Sequence, residues 1–394
     1  MKIAIDLTSL SDNFSGLERV ALELTKALTE CAEGAEFILV IKNELPEVLK
    51  PLKKRENIRF VRIKGRNKLI ANQFTLPLTM RRIEADKYIF PAFPVPILFN
   101  KKNTYGMIAD LGCVDVPQTM KKKQVVFFRE GNKHTAKVCE KVITVSNFSK
   151  GRIEELLPAA KDKVMLVYDG INHPAPESYT KERIAQVKSK YDLPDKYLLS
   201  LSTIEPRKNL RLLIQAYMEL NSRKAEMEME EEVFFDEEAG DEEPQTMTSG
   251  SPALPPLVLA GRRGWLMEDD IAMAVESGRI IFTGFVDDED LPGLYAGAEA
   301  FVFPSLYEGF GMPPLEAQAC GVRKVLSSDA PALKEVLGDT AMYFKNNDKQ
   351  SLKNALSRLN EYEGASGEAI EANLSRFTWQ KSAAVLWEEL IAKV

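Results

Sequence analysis

Histidine is nearly absent from this chain: there are two in 394 residues, His134 and His173. Neither sits in a motif that carries a nucleophile. Either is able to act as a base, but a hydrolase triad is disfavoured and a His-rich metal centre is out of reach. Cysteine is sparse too. Cys31, Cys113, Cys139 and Cys320 are scattered with no C-x-x-C pair, which fits free thiols in a reducing compartment rather than disulfides or a zinc site. No apolar stretch approaches the roughly 20 residues that a membrane-spanning helix needs. The first residues, MKIAIDLTSL, turn polar too early for a secretory leader and read as a strand. A cytoplasmic location is therefore expected.

What is present describes a soluble globular protein, 45% hydrophobic and 28% charged, with length enough for two cores of ordinary domain size. The net charge of −6 hides an asymmetry. Residues 1–175 carry 29 Lys and Arg against 20 Asp and Glu, whereas the remainder carries 23 against 38. The basic residues cluster at Lys53–Arg55, Arg62–Lys68, Arg81-Arg82, Lys101-Lys102 and Lys121–Lys123. Such clusters attract anionic headgroups or polyanions, although a merely solvated surface accounts for them as well. Nucleic acid is the weaker partner, because no aromatic-interleaved binding motif accompanies the charge.

Strand and helix alternate along both halves. Lys2–Asp6, Phe37–Ile41, Asn57–Ile63, Lys87–Phe90, Thr104–Ala109 and Lys141–Thr144 read as strands. Between the first two, residues 17–28 place Leu17, Val20, Ala21, Leu24, Ala27 and Leu28 on one helical face. The second half repeats the theme with strands at Tyr197–Ser202, Leu257–Ala260, Ile280–Thr283 and Phe301–Phe303, and helices at Leu210–Leu220 and Leu291–Ala296. The pattern predicts an α/β architecture of parallel, doubly wound sheets with ligands at the C-terminal strand ends. Composition shifts near residues 175–195. Ala225–Glu243 holds eleven acidic residues and no basic ones, followed by a Pro/Ser/Thr-rich stretch to Pro256. Residues 225–256 are thus expected to be a disordered insertion.

The densest signal runs from Phe301 to Val322, FVFPSLYEGFGMPPLEAQACGV. An apolar strand ends at Pro304, a glycine-rich turn follows, and a helix starts near Pro313-Pro314, where proline suits the first turn. Free N–H groups at that helix start make an anion site. Glu308 and Glu316 flank the turn and are suited to accept hydrogen bonds from sugar or ribose hydroxyls. Together these features fit a nucleotide sugar. A strand–helix loop with solvated glutamates is the plainer alternative.

This segment resembles the E-x7-E signature of the retaining nucleotide-sugar glycosyltransferases of family four, the mannosyltransferase-like group. The resemblance covers nearly the whole chain outside the acidic insertion and is most specific over residues 197–322. It implies a GT-B fold, two Rossmann-like domains facing a central cleft. Residues 1–180 would bind the acceptor and 190–378 the nucleotide sugar, with a final helix at 379–394 crossing back to the first domain. In STIEPRKNL, Arg207 and Lys208 match the E-x-R-K-N element, whose cations contact the donor diphosphate and offset the charge that develops as it departs. Glu308 would then face the donor sugar and Glu316 hold ribose hydroxyls, with Gly309, Phe310 and Gly311 as the phosphate turn.

Gly16, in the loop after the first strand, corresponds to a family glycine that allows close backbone approach. Gly261 and Arg262 fall in a turn near the nucleotide. Thr283-Gly284-Phe285-Val286 resembles a segment that contacts the base through its backbone. Asp110 matches the acid of a family His-Asp pair, but Ala109 stands where the histidine is usual, which puts the sugar-side contacts in question. Ser146 in VSNFS is expected to cap a helix. Asp287–Asp290 is read as a helix cap complementing the dipole rather than as a metal site.

The expected activity is transfer of a hexose, mannose in the first instance, to a glycan or lipid-linked acceptor in surface polysaccharide synthesis. Anomeric configuration is expected to be retained, with no metal or cofactor. Peripheral contact with an anionic inner-membrane face is a further expectation. The alternatives are a nucleotide-sugar 2-epimerase, which the scarcity of histidine disfavours, and a catalytically weakened glycan-binding or scaffold subunit.

Overall fold

A computed structural model describes residues 1–10, 16–65, 70–222, 254–262, 264, 272, 274 and 278–392. Strands β1 (Lys2–Asp6), β2 (Glu36–Lys42), β3 (Ile58–Ile63), β4 (Lys87–Phe90), β5 (Thr104–Met107), β6 (Lys141–Thr144) and β7 (Val164–Leu166) form one sheet in the order β3-β2-β1-β4-β5-β6-β7. A second sheet contains β8 (Leu198–Leu201), β9 (Leu257–Ala260), β10 (Ile280–Gly284), β11 (Ala300–Phe303), β12 (Val325–Ser328) and β13 (Met342–Phe344), ordered β10-β9-β8-β11-β12-β13. Every pairing is parallel. Parallel strands need crossovers that cover both faces, and the near-continuous burial of β1, β4, β5, β9 and β11 reflects that.

In each sheet the strand order reverses once, beside β1 in the first and between β8 and β11 in the second. Chain leaving adjacent strands in opposite directions opens a crevice at that point. The loops after β8 and β11 carry Arg207-Lys208 and Glu308–Gly311, so the fold delivers both motifs to one crevice.

Helix α1 (Gly16–Cys31) buries Val20, Ala21, Leu24, Ala27 and Leu28, the face that its periodicity predicts. The last helix, α9 (Trp379–Ile391), packs on α1. Lys141 pairs with Glu389 at 3.3 Å, and the Ser382 hydroxyl donates to the Tyr168 carbonyl at 2.6 Å. Just before α9, the fully buried Phe377 sets its ring edge-on to Tyr168 of the first half (5.3 Å) and Phe310 of the second (5.2 Å).

Three differences from the sequence pattern have physical causes. Strands β7, β12 and β13 escape the sequence pattern because β7 and β13 are three residues each and β12, VLSS, is half polar. The strand expected over 104–109 ends at Met107, because the chain turns there and Asp110 Oδ1 accepts the Gly112 N–H at 2.8 Å. Of the insertion expected at 225–256, residues 225–253 lie outside the described residues. Its end belongs to the folded domain: Leu254 is buried in one cluster with Leu213, Ile214 and Tyr217. The Pro255 carbonyl accepts from Tyr217 Oη and the Pro256 carbonyl from the Leu198 N–H, each at 2.9 Å.

Phe377 fills a site bounded by both halves, so Phe377→Ala leaves a cavity that neither collapses alone. Its expected loss in urea unfolding is about 3–5 kcal/mol.

Candidate active site at the facing sheet edges

After β8, Pro206–Lys208 forms a single 3-10 turn that ends at Asn209 in a left-handed conformation (φ 53°). The Leu306 N–H donates to the Arg207 carbonyl at 2.9 Å, binding this turn to the loop after β11. Arg207 Nε donates to Glu205 (3.2 Å) and its Nη1 reaches Asp110 Oδ2 beyond the C-terminal end of β5 in the other sheet (3.1 Å). Lys208 Nζ donates to Glu308 Oε1 at 2.6 Å and lies 5.3 Å from the Phe303 ring centroid. The predicted residues Arg207, Lys208, Glu308 and Asp110 therefore meet in one cluster of alternating charge.

Burial opposes ionisation of both partners, and charge overrides it. For Glu308, burial pushes the pKa up, but Lys208 and Arg207 more than offset this and hold it below the usual carboxylate value. For Arg207, burial disfavours the cation, yet Glu308, Asp110 and Glu205 raise its pKa above normal. Both groups are ionised throughout the neutral range.

Glycine decides how closely backbone approaches this cluster. A Cβ on Gly309 would lie 2.8 Å from the Ala109 carbonyl, and one on Gly311 (φ 102°) 2.4 Å from the Leu333 side chain. Gly311 is the N-cap of α7 (Met312–Ala319), with proline in its first turn as expected. Gly16, at the start of α1, faces the tip of Met312 across the cleft. Gly261 (φ 133°) has Ser202 oxygen 1.9 Å from any added Cβ. Its N–H donates to the Gly284 carbonyl (2.8 Å), and the Arg262 carbonyl accepts from the Ile204 N–H (2.9 Å). The Gly261 and Gly284 turns are thereby sewn to the strand end that leads to Arg207. The Arg262 guanidinium covers the Phe285 ring at 4.6 Å.

Glu316 lies one turn into α7, where its Oε2 accepts from Tyr295 Oη at 2.9 Å. Arg19, on the first turn of α1, feels its charge and also donates to Asp288 across the cleft at 2.8 Å. Glu335, on α8 (Pro331–Leu337), reaches over to α4 (Asn147–Leu156) and accepts the Asn147 and Phe148 N–H groups at 2.7 and 3.0 Å. Ser146 caps the same helix by accepting the Ser149 N–H at 3.0 Å. Arg19, Glu335 and Tyr295 escape sequence reading because their partners are remote and no local motif marks them.

Residues 252–361 match the family described as Glycosyl transferases group 1. O-antigen chain mannosyltransferase B of Escherichia coli is 30% identical over 377 residues, covering 89% of this chain and 88% of that protein. The chain belongs to the group 1 glycosyltransferases. Its fold is GT-B. Sucrose-phosphate synthase from Thermosynechococcus elongatus superposes with a TM-score of 0.71 at 17% identity, covering 100% of both chains. Anabaena HepE in complex with UDP-glucose gives 0.69 at 15% identity, again over 100% of both. At such identities the likeness speaks for the fold alone. Membership of a transferase family favours transfer over the epimerase alternative.

One expectation for this glycosyltransferase needs correction. Asp290 occupies the N-cap of α6 (Leu291–Ala296) but caps nothing with its side chain. It binds Arg183 and Lys190 at 2.6 Å and Tyr191 at 2.8 Å instead, because two cations on α5 (Lys181–Lys190) outcompete backbone N–H groups for a buried carboxylate. Phe310, grouped with the donor-binding residues, turns its buried ring onto Phe377 and Tyr168. Only its backbone is left for a ligand. Val286 is likewise buried, in keeping with a backbone role.

Glu308→Gln leaves Lys208 beside a neutral amide, an expected loss of about 3 kcal/mol at neutral pH. Because the folded-state pKa is depressed, that stabilisation is complete above the unfolded value of about 4.3 and disappears as pH falls through the lower folded value. Denaturation curves of the two proteins should converge in acid.

Proposed function

We propose that this glycosyltransferase moves a hexose, mannose in the first instance, from a nucleoside diphosphate sugar to a glycan or lipid-linked acceptor in surface polysaccharide synthesis. The observation that carries the reading is the convergence of Arg207 and Lys208 with the Gly309–Gly311 turn and Glu316 at the switch point of the second sheet. Similarity to O-antigen chain mannosyltransferase B supports mannose; a GDP-linked donor is the first class to test and UDP-sugars the second.

As the glycosidic bond breaks, negative charge grows on the diphosphate. Arg207 and Lys208, already ionised and oriented by carboxylates, stabilise that charge without reorganising. The N–H groups at the start of α7 add donors and the positive end of the helix dipole. Glu316, steadied by Tyr295, accepts ribose hydroxyls, and Glu308 with Asp110 lines the sugar side. Retention of configuration follows if the leaving phosphate itself takes the acceptor proton on the face it departs from, so the scheme uses no protein base and no metal. Work proceeds at the cytoplasmic face, with the basic first half drawing the enzyme to anionic membrane where a lipid-linked acceptor resides.

Thermal-shift screening against GDP, UDP, ADP and dTDP identifies the base, and NMR of the product with the matching donor reads the anomer. An inverted product sinks the retaining scheme. Arg207→Ala is expected to lower kcat by about 100- to 1,000-fold in steady-state assays. Glu316→Ala should weaken binding of the stabilising nucleotide by about tenfold or more; unchanged affinity in a calorimetric titration removes the ribose role.

A further inference from the structure

The turn that carries Arg207 and Lys208 is anchored from two strands that lie outside both signature motifs. Strands β8, β11, β12 and β13 are neighbours in the second sheet, and the loops at their C-terminal ends are tied to one another in series. After β8, the Arg207 carbonyl accepts the Leu306 N–H at 2.9 Å. After β11, the Leu306 carbonyl accepts from Asn346 Nδ2 at 2.8 Å. Asn346 lies just past β13, and its own N–H donates to Asp329 Oδ1, just past β12, at 2.7 Å. The Asp329 N–H closes the circuit on the Phe344 carbonyl at 2.9 Å. The fully buried Ser328 adds a second tie, its hydroxyl donating to the Ser305 carbonyl at 2.6 Å.

The two ties act on adjacent peptide units. The Ser305 carbonyl and the Leu306 N–H belong to one peptide group, so Ser328 bonds one end of the unit whose other end bonds Arg207. Hydrogen bonds in such a chain polarise and strengthen one another. Asn346 fixes the next unit, between Leu306 and Tyr307, two residues before Glu308. The same loop after β13 also meets the far end of the Arg207–Lys208 turn, where Asn209 Nδ2 points at Asn347 Oδ1 in a longer contact of 3.5 Å.

The bond from Asn346 spans forty positions. Other loops manage with less. Helix α2 (Leu76–Arg82) starts with no side-chain cap, and at the start of α3 (Lys122–Val138) the Lys121 N–H meets Gln124 only three residues on, at 3.3 Å. Asn346 also carries a cost: its Oδ1 is buried without a hydrogen-bond partner among the described residues. Buried polar atoms are normally paired, and turning the amide over would set Oδ1 against the Leu306 carbonyl. The orientation is therefore dictated by Leu306. The Arg207–Lys208 turn needs such support, because a single 3-10 turn of three residues has little internal bonding to hold its place. Acids fix the tips of the two cations; the ties to Ser305 and Leu306 fix the base.

We infer that Ser328 and Asn346 are positioning residues for sugar transfer, which set the backbone of the Arg207–Lys208 turn through the peptide groups on either side of Leu306. The inference rests on the proposed role of Arg207 at the departing diphosphate. Steady-state release of GDP from GDP-mannose tests it. Because small displacements of a charged group weaken transition-state contacts steeply, Ser328→Ala/Asn346→Ala should lower kcat by about tenfold. KM for GDP-mannose should change by less than about threefold. A general weakening of the fold would cost the same in any background. With Arg207→Ala already in place, the two substitutions should instead cost no more than about twofold further. Equal cost in both backgrounds, or full kcat with Arg207 present, overturns the inference. A second readout needs no substrate: the Arg207 Nε–H signal, assigned by its loss in Arg207→Ala, should exchange with water about tenfold faster in the double variant. Unchanged exchange overturns the inference as well. Undiminished kcat in Arg207→Ala alone would strike the diphosphate reading itself, before either positioning residue is altered.

Discussion

The Arg207 guanidinium lies between Glu205 and Asp110, one carboxylate from each of the two domains, and the architecture of the cleft turns on it. This half-buried cation is held ionised by the acids around it, and Asp110 reaches it only because the two sheets face each other. Lys208 and Glu308 extend the arrangement by one more buried pair. Each charge is held in place by its neighbours before any substrate charge develops. Such pre-orientation is what makes electrostatic stabilisation effective in a water-poor cleft.

The remaining contacts across the cleft are mostly polar. Arg19 meets Asp288, Glu335 takes two N–H groups at the start of α4, and Tyr307 donates to Asp115 at 3.0 Å. Interfaces of this kind exchange protein partners for water at small net loss, so they suit domains that open to admit a donor and close to exclude water. Apolar contact is supplied by Phe377, wedged between Tyr168 and Phe310, and by Phe148, edge-on to Tyr307 at 5.5 Å. The position of Phe377 near the chain crossover fits a pivot: apolar burial is kept while the polar lips part.

Charge and apolar exposure are distributed unevenly, and the division follows the chemistry. The second domain carries the phosphate-turn glycines and most of the acidic residues. The first carries the basic excess and the exposed Phe74 and Leu78 side chains.

The local grammar of the sequence was readable because it depends on near neighbours. Strands at Lys87–Phe90, Lys141–Thr144 and Leu257–Ala260 are short apolar runs bounded by turn residues, and the helix over Gly16–Cys31 follows its own periodicity. The E-P-R-K and E-x7-E motifs named most of the charged cluster because their chemistry is carried by adjacent residues. What the sequence left open were relations across distance: that Asp110 bonds Arg207, that Lys208 is paired with Glu308, and that Glu335 caps a helix of the other domain 188 positions away. It also misassigned Asp290, whose partners on α5 are about a hundred residues upstream. Sequence alone thus determined which residues carry charge, turn the chain and start helices, since those properties are intrinsic to a few consecutive residues. Only the tertiary structure decided which charges neutralise one another and which apolar faces remain outside, because pairing and burial are set by the crossing of two sheets and not by position along the chain.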